Sequence, residues 1–305
     1  MYFAGSVLMI LVDYSQVALA SILTFQRELK GTESEVKNLI RHVTLSTIKS
    51  YKKKYGKEYG ELVICCDGRK YWRKEFFEQY KGSRKKNRDA SDLDWKLIFD
   101  TLSEMREDIA KHFPWRVIHV DRAEADDVIA VMTKWLQDNQ LVQEGLVEET
   151  QKVLILSSDK DFKQLQLYPT VKQWSPMQKK YITATKQDIH DFMIEHIVKG
   201  DTGDGVPNIL SKDDVFMVGE RQKPMSAKRL AEFIDKGFDA CKNDEERRNW
   251  HRNATLVDFQ FIPADVQKCI VDAYLSNKPN GDKMTVMNYL MEHRCRLLLD
   301  EIEDF

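Results

Sequence analysis

Four short apolar runs, Val7–Val12, Leu62–Cys66, Val117–Val120 and Val153–Leu156, punctuate the first half of the chain. They are β-branched or Leu-rich and do not alternate with polar positions, the pattern of parallel strands covered on both faces. Between them lie stretches with a helical period. Thr32-x-x-Glu35 reads as a capping box that opens a helix with Val36, Leu39, Ile40, Val43 and Ile48 on one stripe. Ser91-x-x-Asp94 caps a second, with Trp95, Ile98, Phe99, Leu102, Met105 and Ile109 turned inward. A third starts near Glu124 and buries Val128, Ile129, Met132 and Leu136. This alternation predicts an α/β fold, a mostly parallel central sheet flanked by helices. Beyond residue 180 convincing strands stop and short helical patterns alternate with polar loops. The expected organisation is an α/β core over 1–180 and a mainly helical region over 181–305.

Composition narrows the class. A chain of 305 residues with 42% hydrophobic and 31% charged positions has ample material for a core. Only 13 Gly and 7 Pro exclude collagen-like and low-complexity chains. The five cysteines lack C-x-x-C spacing, which excludes a zinc ribbon and fits reduced, mostly buried thiols. The first 26 residues carry a single charge, Asp13, but no basic segment precedes Val7–Val12, and Ser6, Ser15 and Gln16 interrupt the run. A buried strand fits better than a signal peptide or membrane anchor, and the cytoplasm is the expected compartment.

The net charge of −2 hides an asymmetry. Residues 69–88 hold nine Lys/Arg against Glu75 and Glu78, a net of +7 that leaves −9 for the rest. Such a segment is the electrostatic footprint of nucleic-acid binding. Trp72, Phe76 and Tyr80 recur at spacing four among Arg73, Lys81, Arg84, Lys85, Lys86 and Arg88, so cations for phosphates are interleaved with rings for unpaired bases. A basic arch over 69–90, rising directly after Asp67, is the expected element; an ordinary solvated amphipathic helix is the alternative.

The acids show the complementary pattern. Each apolar run ends at, or within three residues of, a carboxylate: Asp13, Asp67, Asp121 and Asp159. In a parallel sheet the carboxyl ends of the strands share one rim, where ligands bind. Glu124, Asp126 and Asp127 form a further cluster, Asp161 follows Asp159, and Asp201 and Asp204 sit in Gly200-Asp-Thr-Gly-Asp-Gly-Val-Pro. Two carboxylates 5 Å apart repel by roughly 3 kcal/mol at an effective dielectric near 20. A rim carrying many of them must hold protons or a cation. An all-oxygen donor set selects hard ions, Mg²⁺ or Mn²⁺. The seven histidines are scattered, and His119 reads as a satisfied core residue. There is no Gly-x-x-x-x-Gly-Lys-Ser/Thr loop, so the chemistry that fits is two-metal phosphodiester hydrolysis.

These motifs, in this order, resemble the 5′-nuclease superfamily of flap endonucleases and 5′→3′ exonucleases. Tyr-Lys-Gly-Ser-Arg at 80–84 is similar to its helical-arch motif, and Glu-Ala-Asp-Asp at 124–127 to its central acidic motif. Ser-Ser-Asp-Lys-Asp-Phe at 157–162 and Gly-Asp-Thr-Gly-Asp-Gly-Val-Pro at 200–207 match the next two. Tyr-Pro-Thr-Val-Lys-Gln-Trp-Ser-Pro-Met at 168–177 resembles the phage T4-type ribonuclease H branch.

The resemblance implies a PIN-like 5′-nuclease core and an enzyme, with two Mg²⁺ ions (Mn²⁺ substituting), that degrades RNA·DNA and DNA from the 5′ end and cuts 5′ flaps, removing RNA primers in phage replication. It implies that Asp67, Glu124 and Asp126 hold one metal and that Asp159 lies between the sites. Asp161, Asp201 and Asp204 surround the second, Asp127 joins the acidic cluster, and Asp13 acts through a water. Lys81 and Arg84 contact the scissile phosphate, with Tyr80 stacking beside it. The chain departs from the cellular helix–hairpin–helix after Pro207. This leaves Lys212, Arg221, Lys223, Lys228 and Arg229 as the expected duplex grip, on charge alone. The acidic-apolar ending Glu301–Phe305 is either a frayed terminus or a docking peptide for a sliding clamp or single-strand DNA-binding protein. A monomer and no membrane partner are expected. Two rival readings stay open: a non-catalytic binder of branched DNA with a vestigial site, and a PIN-type ribonuclease.

Overall fold

In the computed structural model of the chain, residues 8–82, 84, 91–138 and 151–305 are described. They divide into two compact units that do not follow the chain order. The first comprises the described residues of Met1–Gly68, Asp92–Thr183 and Gln267–Phe305; the second those of Arg69–Ser91 and Ala184–Val266.

The first unit is built on six strands, β1 (Met9–Asp13), β2 (Glu61–Cys66), β3 (Arg116–His119), β4 (Val153–Leu156), β5 (Val171–Ser175) and β6 (Lys180–Ile182). Their order is β3-β2-β1-β4-β5-β6, with every pairing parallel except β5 with β6. The four runs expected from the sequence are strands, within two residues at each end; Val7 lies outside the described residues. Two strands beyond those four runs, β5 and β6, extend the sheet. Both are largely polar in sequence, with Lys172, Trp174, Lys180 and Tyr181 at least partly exposed.

Strand pleating sends alternate residues to opposite faces. Ile10, Val12, Leu62, Ile64, Leu154 and Leu156 pack in one core with α1 (Tyr14–Ile22), α2 (Glu33–Tyr59) and α4 (Trp95–His112). The helix α5 (Ala125–Gln137) lies against β1 and β2. Thr32 and Glu35 form the expected capping box. The cap of α4 is Asp94 itself, whose Oδ1 accepts from Leu97 N at 2.9 Å, rather than Ser91.

The chain returns to this unit at its end. After α9 (Ala264–Ser276), the helices α10 (Lys283–Glu292) and α11 (Arg296–Leu299) place Val286, Tyr289, Leu290 and Leu298 in the same core. The terminus is neither frayed nor extended. The Phe305 ring lies 5.7 Å from those of Phe113 and Trp115, Asp304 pairs with Lys53 at 2.8 Å, and Glu301 pairs with Lys49.

The second unit contains α3 (Trp72–Phe76), α6 (Lys186–Lys199), α7 (Ala227–Lys236) and α8 (Asp244–Val257). The basic segment is not one helix through Tyr80. It breaks at Phe77, which is extended, and Lys81 has φ +56°. Phe77 and Tyr80 turn into this unit's core with Ile197, Val198, Val206, Ile209 and Trp250, and that burial overrides the helical spacing. Lys85, Lys86 and Arg88 lie outside the described residues. No helix among the described residues is long and apolar enough to cross a membrane.

Candidate active site

The chain builds β1, β2 and β3 to one side and then crosses to lay β4 on the other side of β1. The carboxyl ends of β1 and β4 therefore flank a topological switch point, the usual ligand crevice of an open parallel sheet. Asp13 closes β1 there and is 6% exposed. Its Oδ1 caps α1 by accepting from Gln16 N at 3.2 Å, and its Oδ2 accepts from Ser157 Oγ, at the end of β4, at 2.8 Å. Ser157 Oγ in turn accepts from Asp159 N at 3.1 Å, and Asp159 Oδ1 accepts from Asp161 N at 2.9 Å. The buried Gln173 side chain of β5 donates to the carbonyls of Ser157 and Asp159 at 3.0 and 2.6 Å, fixing the turn from behind.

Asp67 follows β2. Its Oδ2 accepts from Ser15 Oγ at 2.9 Å and its Oδ1 from Ala125 N, the first residue of α5, at 3.0 Å. A carboxylate at a helix N-terminus sits where the backbone dipole favours it. The bond from Ala125 N brings the backbone between Glu124 and Asp126 to the Asp67 carboxylate. Gly68 allows the close approach: a Cβ there would lie 2.4 Å from the Val120 carbonyl oxygen and 2.8 Å from that of Ala123. Glu124 is 1% exposed and Asp126 half-buried. Asp127 is fully buried, with Oδ2 accepting from Glu124 N at 2.9 Å, so the structure gives it a capping role. Asp121 is exposed.

Burial, then the charge of Asp67 and more weakly that of Asp159, pushes the Asp13 carboxyl up to about 7, although Ser157 and Gln16 pull it down. An all-oxygen set under mutual repulsion is the condition that a hard divalent cation relieves, so these residues fit one.

Asp201 and Asp204 belong to the second unit, on the loop after α6. Asp201 Oδ1 accepts from Gly203 N at 2.8 Å and Asp204 N at 3.2 Å. Asp204 Oδ2 accepts from Tyr80 Oη at 3.0 Å, its carbonyl from Lys81 N at 2.7 Å, and its carboxylate pairs with Arg84 and, at 3.8 Å, with Lys81. Burial pushes this carboxyl up, but Lys81, Arg84 and the Tyr80 hydroxyl outweigh it and hold it below the usual range. Tyr80 is 4% exposed, so it orients Asp204 rather than offering an open stacking face.

The expected nucleic-acid contacts divide. Lys212, Arg221, Lys223 and Lys228 are exposed. Arg229 is committed elsewhere: its guanidinium pairs with Glu232 and Glu246 at 2.7 and 2.6 Å. Trp72 and Arg73 are buried, with Arg73 Nε donating to the Leu256 carbonyl at 2.8 Å. His119 is half-buried beside Arg106 at 3.4 Å rather than a core residue. Sequence reasoning did not single out Ser15 or Gln173. Ser15 carries no signal beyond following Asp13 by two, and Gln173 became readable only once β5 was known.

A parallel sheet with carboxylates gathered at its switch point is the architecture of a nuclease of the 5′→3′ exonuclease class. A family model described as "5'-3' exonuclease, N-terminal resolvase-like domain" matches residues 8–193, and one described as "T4 RNase H, C terminal" matches residues 187–305. The chain is 32% identical to ribonuclease H of Enterobacteria phage T4 over 97% of its own length and 95% of that protein's. It is 31% identical to the flap endonuclease Xni of Shewanella piezotolerans, over 48% of this chain and 53% of that one. In fold it is similar to the bacteriophage T5 D15 flap endonuclease, in a structure described as a complex with DNA and metal ions. The TM-score is 0.61 at 18% identity, covering 88% of this chain and 98% of the other. The chain belongs to the T4 ribonuclease H family of 5′ nucleases.

Proposed function

We propose that this enzyme uses Mg²⁺ to hydrolyse phosphodiester bonds from the 5′ end of RNA·DNA and DNA duplexes and to cut 5′ flaps, removing RNA primers during phage replication in the host cytoplasm. The observation that carries the reading is the set of carboxylates at the switch point, with Asp13 at the end of β1 and the Asp159 turn after β4 tied together through the Ser157 hydroxyl. Asp13, Asp67, Glu124, Asp126, Asp159 and Asp161 would hold the metal ions. The resemblance assigns Asp201 and Asp204 to the same chemistry. Bound there, the ions supply an activated water and neutralise charge on the leaving oxygen.

The chain's own residues do the rest. Ser157 and the Gln16 amide fix both oxygens of Asp13, and Ser15 and the Ala125 amide fix both oxygens of Asp67. Pre-set carboxylates need no reorganisation when a cation arrives. Lys81 and Arg84, now paired with Asp204, are the cations a scissile phosphate would recruit. Lys212, Arg221, Lys223 and Lys228 would neutralise duplex phosphates. The enzyme would work as a monomer alongside a single-strand DNA-binding protein and a sliding clamp. The seated terminus makes Glu301–Phe305 an unready docking peptide for either.

The test is cleavage of 5′-labelled flap and RNA·DNA substrates in Mg²⁺, with and without chelator. Chelation and Asp159→Ala should each abolish product. Full activity of Asp159→Ala, or cleavage that survives chelation, overturns the reading.

A further inference from the structure

The sheet unit contains a concavity of about 580 Å³ that the proposed cleavage chemistry does not use. Arg106 of α4, Trp115 just before β3, His119 at the end of β3, and Asn277, Lys278 and Asn280 in the turn after α9 line it. Its walls are fixed. Arg116 donates to the carbonyls of Tyr274 and Asn277, both at 2.6 Å, and to Glu61 at 2.7 Å. Tyr274 Oη donates to the same Glu61 at 2.8 Å, and Gly281 N donates to the Phe113 carbonyl at 3.2 Å. The turn is thus tied to the sheet at both ends, and the cavity is preformed.

Its chemistry is one-sided. Arg106, His119 and Lys278 bring cations or donors, and the two asparagines bring amides. The carboxylate among the lining residues, Glu107, is 71% exposed and accepts from Nε and Nη2 of its neighbour Arg106 at 3.2 and 2.7 Å, so an incoming anion competes with it for that guanidinium. Trp115 backs the wall: it is 1% exposed, and its ring stacks on that of Phe305 with centroids 5.7 Å apart.

We propose that this cavity binds a nucleotide, with its phosphate among Arg106, His119 and Lys278 and its base edge on the Asn277 and Asn280 amides. The volume falls in the range of roughly 300–1,000 Å³ typical of small-molecule sites and far exceeds what a bare phosphate fills. Amides that both donate and accept suit the edge of a base. The same chemistry comes from two sources, a free mononucleotide or the terminal nucleotide of a strand. The site goes beyond the cleavage reading and is testable without it.

The experiment uses the full chain labelled with ¹⁵N at tryptophan, in chelator so that nothing is cut. Trp115→Phe assigns the Trp115 indole signal. The probes are inorganic phosphate, dAMP, a blunt DNA hairpin and a hairpin with an unpaired terminal nucleotide. A saturable shift of that signal with dAMP or the overhung hairpin, weakened at least about tenfold in Arg106→Gln/Lys278→Gln, supports the site. Tighter binding of the overhung than of the blunt hairpin identifies a strand end as the source; a response to dAMP alone identifies the free nucleotide. Lys278→Gln alone, on a surface turn, covers the case in which the double variant misfolds, which the other indole signals would report. An equal response to inorganic phosphate, or no response to any probe at about 10 mM, overturns the proposal.

Discussion

Replacing Asp13 by Asn should stabilise the metal-free enzyme, and only above acidic pH. In the folded state burial and the Asp67 charge push this carboxyl from 3.8 up to about 7. Between those values the unfolded chain is ionised at Asp13 while the folded one must keep its proton. Stability is therefore fully present below about pH 4, falls as pH rises toward 7, and then stays flat. A shift of about three pH units corresponds to at most about 4 kcal/mol. Asn retains the shape, caps α1 as well as Asp does, and faces a Ser157 hydroxyl that can turn from donor to acceptor. The variant should thus gain up to about 6 °C in Tm over wild type in chelator at pH 8, and nothing at pH 4. The comparison cancels the titrating groups that do not interact with Asp13. Excess Mg²⁺ should reverse the order at pH 8, because the cation removes the repulsion in wild type and loses a ligand in the variant. Thermal melts of both proteins at pH 4 to 8, with and without metal, check this. A variant that is equally destabilised at every pH would refute the reasoning.

Three further outcomes follow from particular contacts. Arg229→Ala should cost about 2 kcal/mol of stability by stranding Glu246, yet leave the salt dependence of DNA binding unchanged, whereas Lys223→Ala should lower the salt slope by about 0.9 with no change in Tm; titrations at several salt concentrations and melts separate the two. Gly200→Ala should disable the Asp201–Asp204 loop, because at φ +67° a Cβ would sit 2.3 Å from the Val206 carbonyl oxygen and 2.5 Å from that of Pro207; cleavage assays should show loss of product. Phe305→Ala should cost about 2 kcal/mol by removing the ring packed on Phe113 and Trp115, read by denaturant melts, with kcat unaffected.

Much of this architecture is legible along the chain because parallel strands are apolar on both faces and end at acids. Ile10, Ile64, Leu154 and their neighbours announce β1, β2 and β4, and Asp13, Asp67 and Asp159 mark where each stops. The polar β5 is invisible by the same rule, although Gln173 within it is fully buried and supports the Asp159 turn. Charge misleads in a different way. Arg229 and Lys228 are equivalent letters, but only the first finds Glu246. Spacing misleads at Tyr80, whose ring follows the pull of a core made of residues more than a hundred positions away. What sequence conveys well is local periodicity; what it conveals is which distant groups a side chain meets.

The chain passes between its two units at Gly68, Ser91, Thr183 and Val266, and the sheet unit takes its last core residues from α10 and α11. During synthesis the sheet can begin to assemble early, but its core stays open until residues 267–305 have left the ribosome. The second unit, enclosed within that span, is complete sooner. Shortened products that stop near residue 266 would therefore carry exposed Ile109 and Phe113 surfaces, making them substrates for chaperones and proteases instead of half-active enzymes.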